Sequence, residues 1–161
     1  MARGRIETPD DRRDLPGAFG HRVDVEVRFA DTDAMGHVNN AVYLTYCEMA
    51  RIRYWTDVTG EPVAAGHEGA ESLILAEARI TYRAPVFHTE TVTIETRATH
   101  IGRSSFTLEH RLTACGPGGS PRLVATSASV MVRYDYRTDR PAPLGDAFVD
   151  AIESFEGRTL R

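Results

Sequence analysis

Apolar and polar side chains alternate along five stretches of this chain, and a two-residue period is typical of strands with one buried face. The first stretch places Val23, Val25, Val27 and Phe29 on one side. The later stretches are 76–84, 92–98, 106–112 and 124–134. Short connections join these later stretches, which favours antiparallel neighbours. The pattern therefore predicts one antiparallel sheet of about five strands.

One long helix is predicted between the first strand and the others. Residues 41–55 contain neither Gly nor Pro, and Gly60 follows as a terminator. Asn39 and Asn40 are candidate N-caps, because Asn side chains accept hydrogen bonds from the first amides of a helix. Apolar residues occur all round this helix, which predicts that it is buried. The expected fold is α+β, a curved antiparallel sheet wrapped around one long central helix.

The remaining segments indicate the limits of the domain. Residues 1–20 are polar and rich in Pro and Gly, which predicts a flexible N-terminal tail before a single domain at 21–157. The loop at 60–72 is long enough to form a lid over a pocket, and a plain connection is the alternative. A short second helix is predicted within 141–157. Its expected apolar face carries Phe148, Ile152 and Phe155.

Composition narrows the class of protein. A chain of 161 residues with 42% hydrophobic content can bury a single core. Two cysteines, Cys47 and Cys115, are too few for a disulfide framework, and no apolar run precedes the first strand, so a cytoplasmic protein without a membrane anchor is expected. A net charge of −4 provides no basic surface for nucleic acid. The six histidines lack metal-ligand spacing, and neither a metal nor a cofactor is predicted.

The candidate catalytic residues are concentrated where the first strand meets the helix. Asp31 and Asp33 lie on the predicted turn. A helix start offers unpaired N–H groups and a partial positive charge. A carboxylate beside those amides provides a base or nucleophile together with donors for a developing oxyanion, which are parts of an acyl-transfer site. Aspartates are also common turn formers, and Asp31 is expected to be structural.

The segment Asp-Thr-Asp-Ala-Met-Gly-His-Val-Asn-Asn-Ala-Val-Tyr, which ends at Tyr43, resembles hot dog fold thioesterases of the 4-hydroxybenzoyl-CoA thioesterase type. The resemblance covers roughly residues 22–137. It implies hydrolysis of an acyl-CoA to free acid and coenzyme A, with Asp33 as the catalytic carboxylate. It also implies that a backbone amide near Asn40 polarises the thioester carbonyl.

The same resemblance implies an assembly. Such proteins are homodimers, often homotetramers, with each site at a subunit interface and coenzyme A lying partly on the neighbouring chain. Arg103 and Ser104 match the position where these proteins hold the nucleotide or phosphate end of the substrate. An ordinary exposed turn is the alternative for Arg103.

Several side chains near the motif have two possible roles. The Gly-His37-Val-Asn-Asn portion is also similar to plant acyl-ACP thioesterases, but Met35 stands where their motif has an Asn, so His37 is a candidate helper only. Tyr43 either lines an acyl pocket or packs in the core. Glu48 is expected to pair with Arg51 on the helix, and a related class uses such a Glu as its carboxylate. Cys47 is expected to be inert.

Alternatives to an acyl-CoA thioesterase remain at this stage. A hot dog hydratase or dehydratase would typically carry Asp and His five residues apart around an Asn-Pro pair, whereas Asp33 and His37 are four apart without that pair. A non-catalytic acyl-CoA-binding protein would keep the pocket and Arg103. Whether Asp33 attacks the carbonyl or deprotonates water is open, as are the acyl group and the choice between coenzyme A and acyl carrier protein as donor.

Overall fold

The computed structural model describes residues 17–62 and 71–161. Its elements are β1 (His21–Glu26), a 3₁₀ turn (Phe29–Asp31), α1 (Val42–Thr59), β2 (Glu71–Tyr82), β3 (Thr91–Ile101), β4 (Ser105–Cys115), β5 (Arg122–Asp135), β6 (Arg140–Pro141) and α2 (Asp146–Glu156). The strands form one antiparallel sheet in the order β1-β3-β4-β5-β2, with the short β6 beside β5. The predicted sheet around a central helix is confirmed.

Strand β2 lies at an edge of this sheet, and among the described strands it pairs only with β5. It begins at Glu71 rather than at residue 76, and a bulge interrupts its register between Leu75 and Glu77. Residues 75–79 are all exposed, so the alternation in sequence produces no alternating burial here. The reason is the position of β2 at the edge of the sheet, where residues 75–79 have a neighbouring strand on one side only and are open on both faces.

Helix α1 is buried on one face only, which corrects the expectation of complete burial. Its buried residues are Tyr43, Tyr46, Cys47, Ala50, Arg51 and Tyr54. Leu44, Met49 and Ile52 are 38%, 46% and 46% exposed. The sheet of one chain covers one side of the helix, and these apolar side chains lie on the uncovered side.

The two ends of α1 differ in how well the sequence predicts them. Gly60 ends the helix in the left-handed conformation, with φ of 73° and its N–H bonded to the Thr56 carbonyl, as predicted. The N-cap position belongs to Ala41, not to Asn40, and no side chain caps the helix there. Instead, Asn39 Oδ1 accepts a hydrogen bond from the Ala41 N–H at 2.9 Å in the turn that precedes the helix. The expected capping role of Asn40 is therefore wrong.

The first strand is shorter than its alternation predicts. It stops at Glu26, and Phe29 is 79% exposed at the start of the 3₁₀ turn. Hydrogen bonds from the Arg28 backbone and guanidinium to the Asp31 carboxylate stabilise that turn. A local polar contact therefore ends the strand where the hydrophobic pattern alone would continue it.

Helix α2 confirms the predicted short helix, with one difference. Phe148 and Ile152 are buried as expected, but Phe155 is 41% exposed and Val149 is buried instead. The predicted N-terminal tail up to residue 16 and the predicted lid from 63 to 70 lie outside the described residues.

A polar layer divides the core between α1 and the sheet. One apolar cluster surrounds Tyr43 and Tyr46, and a second surrounds Tyr54 and Phe148. Between them the sheet register aligns three inward polar residues, Thr96, His110 and Ser127. Thr96 Oγ1 lies 3.0 Å from His110 Nδ1. Burial lowers the pKa of His110 to about 3, so its imidazole is neutral in the folded protein.

This neutral histidine predicts a pH dependence of stability. The unfolded chain takes up a proton below the ordinary histidine value of about 6.5, whereas the folded chain does so only near 3. The contribution of neutral His110 to the free energy of unfolding is therefore at its full value above the ordinary histidine pKa. It is lost as the pH falls from there towards the folded-state pKa, by up to about 1.4 kcal/mol per pH unit. We expect His110→Asn to flatten the fall in melting temperature between neutral and acidic pH.

The matched control is His100→Asn, because His100 is exposed on β3. It should keep the wild-type dependence on pH. Melting temperature is measured against pH by thermal unfolding across that range. If it falls equally steeply in wild type and in His110→Asn, the buried His110 is not the source of the pH dependence.

Candidate active site

The aspartate-containing turn is a closed loop of residues 31–39. The Asn39 N–H donates to the Asp31 carbonyl at 2.9 Å, and the Asp33 N–H donates to the His37 carbonyl at 3.0 Å. Gly36 has φ of +82°, a conformation that favours glycine, and its N–H donates to the Asp33 carbonyl. These bonds fix the backbone on both sides of Asp33.

Asp31 fastens this loop to the helix. Its side chain is 2% exposed, and it accepts hydrogen bonds from Arg28 Nη2 at 2.7 Å and from the Tyr46 hydroxyl at 2.8 Å. The hydrogen bonds from Arg28 lower the pKa of the Asp31 carboxyl. The contacts are those of a structural residue, as the sequence predicts.

Asp33 is held by the same loop but keeps acceptor capacity. Its side chain is 19% exposed, so it does not face bulk water. Oδ1 accepts the Met35 N–H at 2.9 Å and lies 3.8 Å from His37 Nδ1, too far for a hydrogen bond. Within residues 17–62 and 71–161, Oδ2 makes no hydrogen bond. Asp33 is thus a positioned carboxylate with one oxygen available.

The Asn40 backbone amide at the helix start is available as a donor. The Ala41 and Val42 N–H groups donate to the side chain and the carbonyl of Asn39. In the part of the chain that the structure describes, the Asn40 N–H has no acceptor. Such an amide, beside the positive end of α1, is suited to hold a developing negative oxygen.

Tyr82 contacts the start of the helix, a contact that the sequence analysis did not predict. Its hydroxyl donates to the Asn40 carbonyl at 2.8 Å, so it fixes the peptide that follows the available amide. Its ring meets Tyr43 edge-on at 5.2 Å between centroids. Tyr43 itself is 3% exposed and packs in the core. The sequence shows only a tyrosine at the end of a predicted strand, and Asn40, to which its hydroxyl donates, is 42 residues away.

Arg103 and Ser104 are far from Asp33 within one chain. Strand β3 begins beside the end of β1, because Thr91 pairs with Glu26, and it ends at Ile101. Its length of eleven residues corresponds to roughly 35 Å. The β3–β4 turn that carries Arg103 and Ser104 therefore lies at the opposite end of the sheet, and a single subunit does not bring these residues to the loop.

The remaining candidates on α1 are not at the loop. Cys47 is fully buried, and burial raises its thiol pKa to about 11, so the thiol stays protonated at neutral pH. Glu48 is 63% exposed, and its Oε2 lies 3.9 Å from Nη2 of the buried Arg51. The predicted pair is thus present as a long contact.

Neither a metal site nor a membrane-spanning helix is found among the described residues. Residues 17–62 and 71–161 contain no group of three His, Cys, Asp or Glu side chains that could hold a metal ion. None of the helices in those ranges has the length and apolar character to cross a membrane.

Comparisons with known proteins identify the family. The sheet topology around a central helix defines a hot dog fold. The chain belongs to the thioesterase-like superfamily, whose family model matches residues 27–152. It is accordingly a thioester hydrolase, and the predicted fold and enzyme class are confirmed.

Three similar proteins illustrate the relationship. A thioesterase from Thermus thermophilus, solved in complex with coenzyme A and Zn, is 38% identical, covering 88% of this chain and 98% of that one with a TM-score of 0.73. A 1,4-dihydroxy-2-naphthoyl-CoA hydrolase from Synechococcus elongatus is 27% identical over 131 residues, covering 79% of this chain and 90% of the relative. The 4-hydroxybenzoyl CoA thioesterase from Pseudomonas sp. shares the fold, at 20% identity and a TM-score of 0.74 over 81% of this chain and 97% of that one.

Proposed function

We propose that the protein hydrolyses acyl-CoA thioesters, with Asp33 as the catalytic carboxylate and the Asn40 amide as the oxyanion donor. The observation that carries the proposal is their common setting: one closed loop holds the carboxylate and leads directly into the turn with the available amide. The coenzyme A complex of the Thermus relative supports coenzyme A as the donor.

The reaction follows from the chemistry of these two groups. The Asn40 N–H would hydrogen-bond to the carbonyl oxygen as it becomes negative, and one such donor is typically worth about 3 kcal/mol. Asp33 would either attack the carbonyl carbon, forming a mixed anhydride that water then cleaves, or take a proton from an attacking water. In both routes the C–S bond breaks and coenzyme A leaves as the thiol. His37, 3.8 Å from the carboxylate, is proposed as a helper.

A homodimer would complete the site. The exposed edge of β2 at 75–79 can pair with the same edge of a second copy, and a two-fold axis makes that pairing antiparallel. The two sheets then run in opposite directions, which carries the β3–β4 turn of one subunit towards the Asp33 loop of the other. Arg103 and Ser104 could then meet the phosphate end of a substrate held at the partner's loop.

The surroundings of Arg103 support this role. It lines a groove of about 500 Å³ together with Arg161 and the first residues of α2, including Asp146. Arg161 Nη2 lies 3.5 Å from Asp146 Oδ1, so the carboxylate of Asp146 neutralises Arg161 more than it neutralises Arg103. Arg103 is therefore the better placed of the two to bind a phosphate.

Light scattering is expected to give a mass of at least twice the 17.8 kDa chain. A monomer at assay concentration would contradict the shared site.

The test of function is a panel of acyl-CoAs and acyl-ACPs with short, long and aromatic acyl groups. Free thiol release is measured for each substrate, beside the melting temperature. We expect thiol release with at least one acyl-CoA. A rise in melting temperature without thiol release across the panel would instead identify a non-catalytic binding protein.

The location proposed for this enzyme is the cytoplasm. Cys47 and Cys115 are both free thiols, which suits a reducing compartment.

A further inference from the structure

An apolar cavity of about 230 Å³ lies between α1, α2 and the sheet. Its walls include the aromatic side chains Trp55, Phe106 and Phe148 and the aliphatic side chains Leu73 and Leu75. An engineered apolar cavity of about 150 Å³ accommodates benzene, so this one is large enough for a substituted ring or a medium-length chain.

A buried cation lines this mostly apolar cavity, whose wall also contains Glu48 and Thr59. Arg51 belongs to the wall, its side chain is 6% exposed, and burial lowers its pKa. Within the described ranges its buried Nη1 has no hydrogen-bond partner. Its nearest carboxylate, Glu48, is 63% exposed and 3.9 Å away. A guanidinium left so incompletely paired is costly to bury, and an oxygen acceptor on a ligand would satisfy it.

The polar layer of the core lies next to this cation. Burial is the main cause that lowers the pKa of His110, and the nearby charge of Arg51 lowers it further. In the same described residues His110 Nε2 and Ser129 Oγ are buried without a partner. These atoms do not belong to the cavity lining; the lining residues that carry a buried donor without a partner, within the described residues, are Arg51 and Trp55.

The cavity lies far from the Asp33 loop of its own chain, so it is poorly placed to hold an acyl group that is cleaved there. Arg51 lies roughly 14 Å along α1 from the helix start. In the proposed antiparallel dimer, however, the Leu73–Leu75 end of one β2 lies beside the Tyr82 end of the other. Leu73 and Leu75 line the cavity, and the Tyr82 hydroxyl contacts the Asn40 carbonyl. The cavity of one subunit would therefore adjoin the Asn40 amide of its partner.

We infer that this cavity receives the acyl group and that Arg51 selects acyl groups carrying an oxygen acceptor, a hydroxyl or a carboxylate, at their distal end. The inference rests on the proposed acyl-CoA hydrolysis. It names Arg51 as a specificity-determining residue and leaves bond cleavage to the Asp33 loop.

The test compares matched substrates. Benzoyl-CoA is paired with 4-hydroxybenzoyl-CoA, and octanoyl-CoA with its ω-carboxy counterpart, so the two pairs separate hydroxyl from carboxylate. For the wild-type dimer we expect kcat/KM to favour the oxygen-bearing member of at least one pair by about tenfold or more. Arg51→Met should bring that ratio close to one, and Arg51→Lys should retain part of it.

The matched control is Arg53→Met, on the same helix. Arg53 is 67% exposed and bonded to Asp57, so its loss should leave the ratio unchanged. An equal loss of kcat/KM for both members of a pair in Arg51→Met would make Arg51 a structural residue and overturn the inference. A wild-type ratio near one in both pairs overturns it as well, whether or not the variants fold.

A second readout separates this inference from the proposed function. The corresponding free acids are added to wild type and to Arg51→Lys, and melting temperatures are compared. The oxygen-bearing distal group should raise the wild-type melting temperature more than the plain acid does, and the difference should shrink in the variant. Absence of hydrolysis with that difference present refutes the enzyme proposal alone, whereas hydrolysis without it refutes the role of Arg51 alone.

Discussion

Asp33→Asn is expected to lower acyl-CoA turnover by about a thousandfold and to leave the fold intact. The amide side chain retains an oxygen that can accept the Met35 N–H, so the loop keeps the contact now made by Oδ1. It cannot attack a carbonyl or take a proton from water at neutral pH, and both proposed routes therefore fail. Thiol release under single-turnover and steady-state conditions measures the loss.

The melting temperature of Asp33→Asn serves as the control, and it should match that of wild type. Turnover within a few-fold of wild type would remove Asp33 from the mechanism. In that event Glu48→Gln becomes the variant to examine, because Glu48 is the other carboxylate that the sequence offers on the helix.

Asp31→Asn, unlike Asp33→Asn, is expected to cause a large loss of stability. The substitution removes the charge that accepts hydrogen bonds from Arg28 and from the buried Tyr46 hydroxyl. Arg28 is exposed, so the loss falls mainly on the buried Tyr46 hydroxyl and should lower the free energy of unfolding by about 2 kcal/mol. Because the folded-state pKa of Asp31 is lowered, this contribution is complete above the ordinary carboxyl pKa and is lost as the pH falls from that value through the lower folded-state pKa.

Denaturant unfolding of wild type and Asp31→Asn at neutral and acidic pH measures this difference. Asp24→Asn is the matched control: Asp24 is 51% exposed and bonded to Arg22 and Thr93, so its loss should cost less than about 1 kcal/mol. An Asp31→Asn protein as stable as the Asp24→Asn protein would mean that Asp31 does not fasten the loop.

Local patterns were sufficient to predict most of the fold. Inward positions on β3 and β4 alternate regularly with partly exposed ones, because both strands have neighbours on either side and a helix over one face. Gly60 was predictable because a left-handed helix end favours glycine. The order of elements and the spacing of the motif then identified the family.

Properties that depend on distant neighbours were not predictable in the same way. The sequence of α1 could not show that Met49 and Ile52 would lie on an exposed face, since that depends on which side of the helix the sheet covers. Phe29 fits the strand pattern, but the contact between Arg28 and Asp31 turns the chain first. Neither the role of Tyr82 nor the burial of Arg51 has a local signature, because each depends on residues far along the chain.

The most direct test of the account is a crystal structure of Asp33→Asn with an uncleaved acyl-CoA. The account predicts the thioester carbonyl oxygen within hydrogen-bond distance of the Asn40 N–H, with the carbonyl carbon facing the side chain at position 33. A thioester bound away from this amide, with position 33 directed elsewhere, would contradict it.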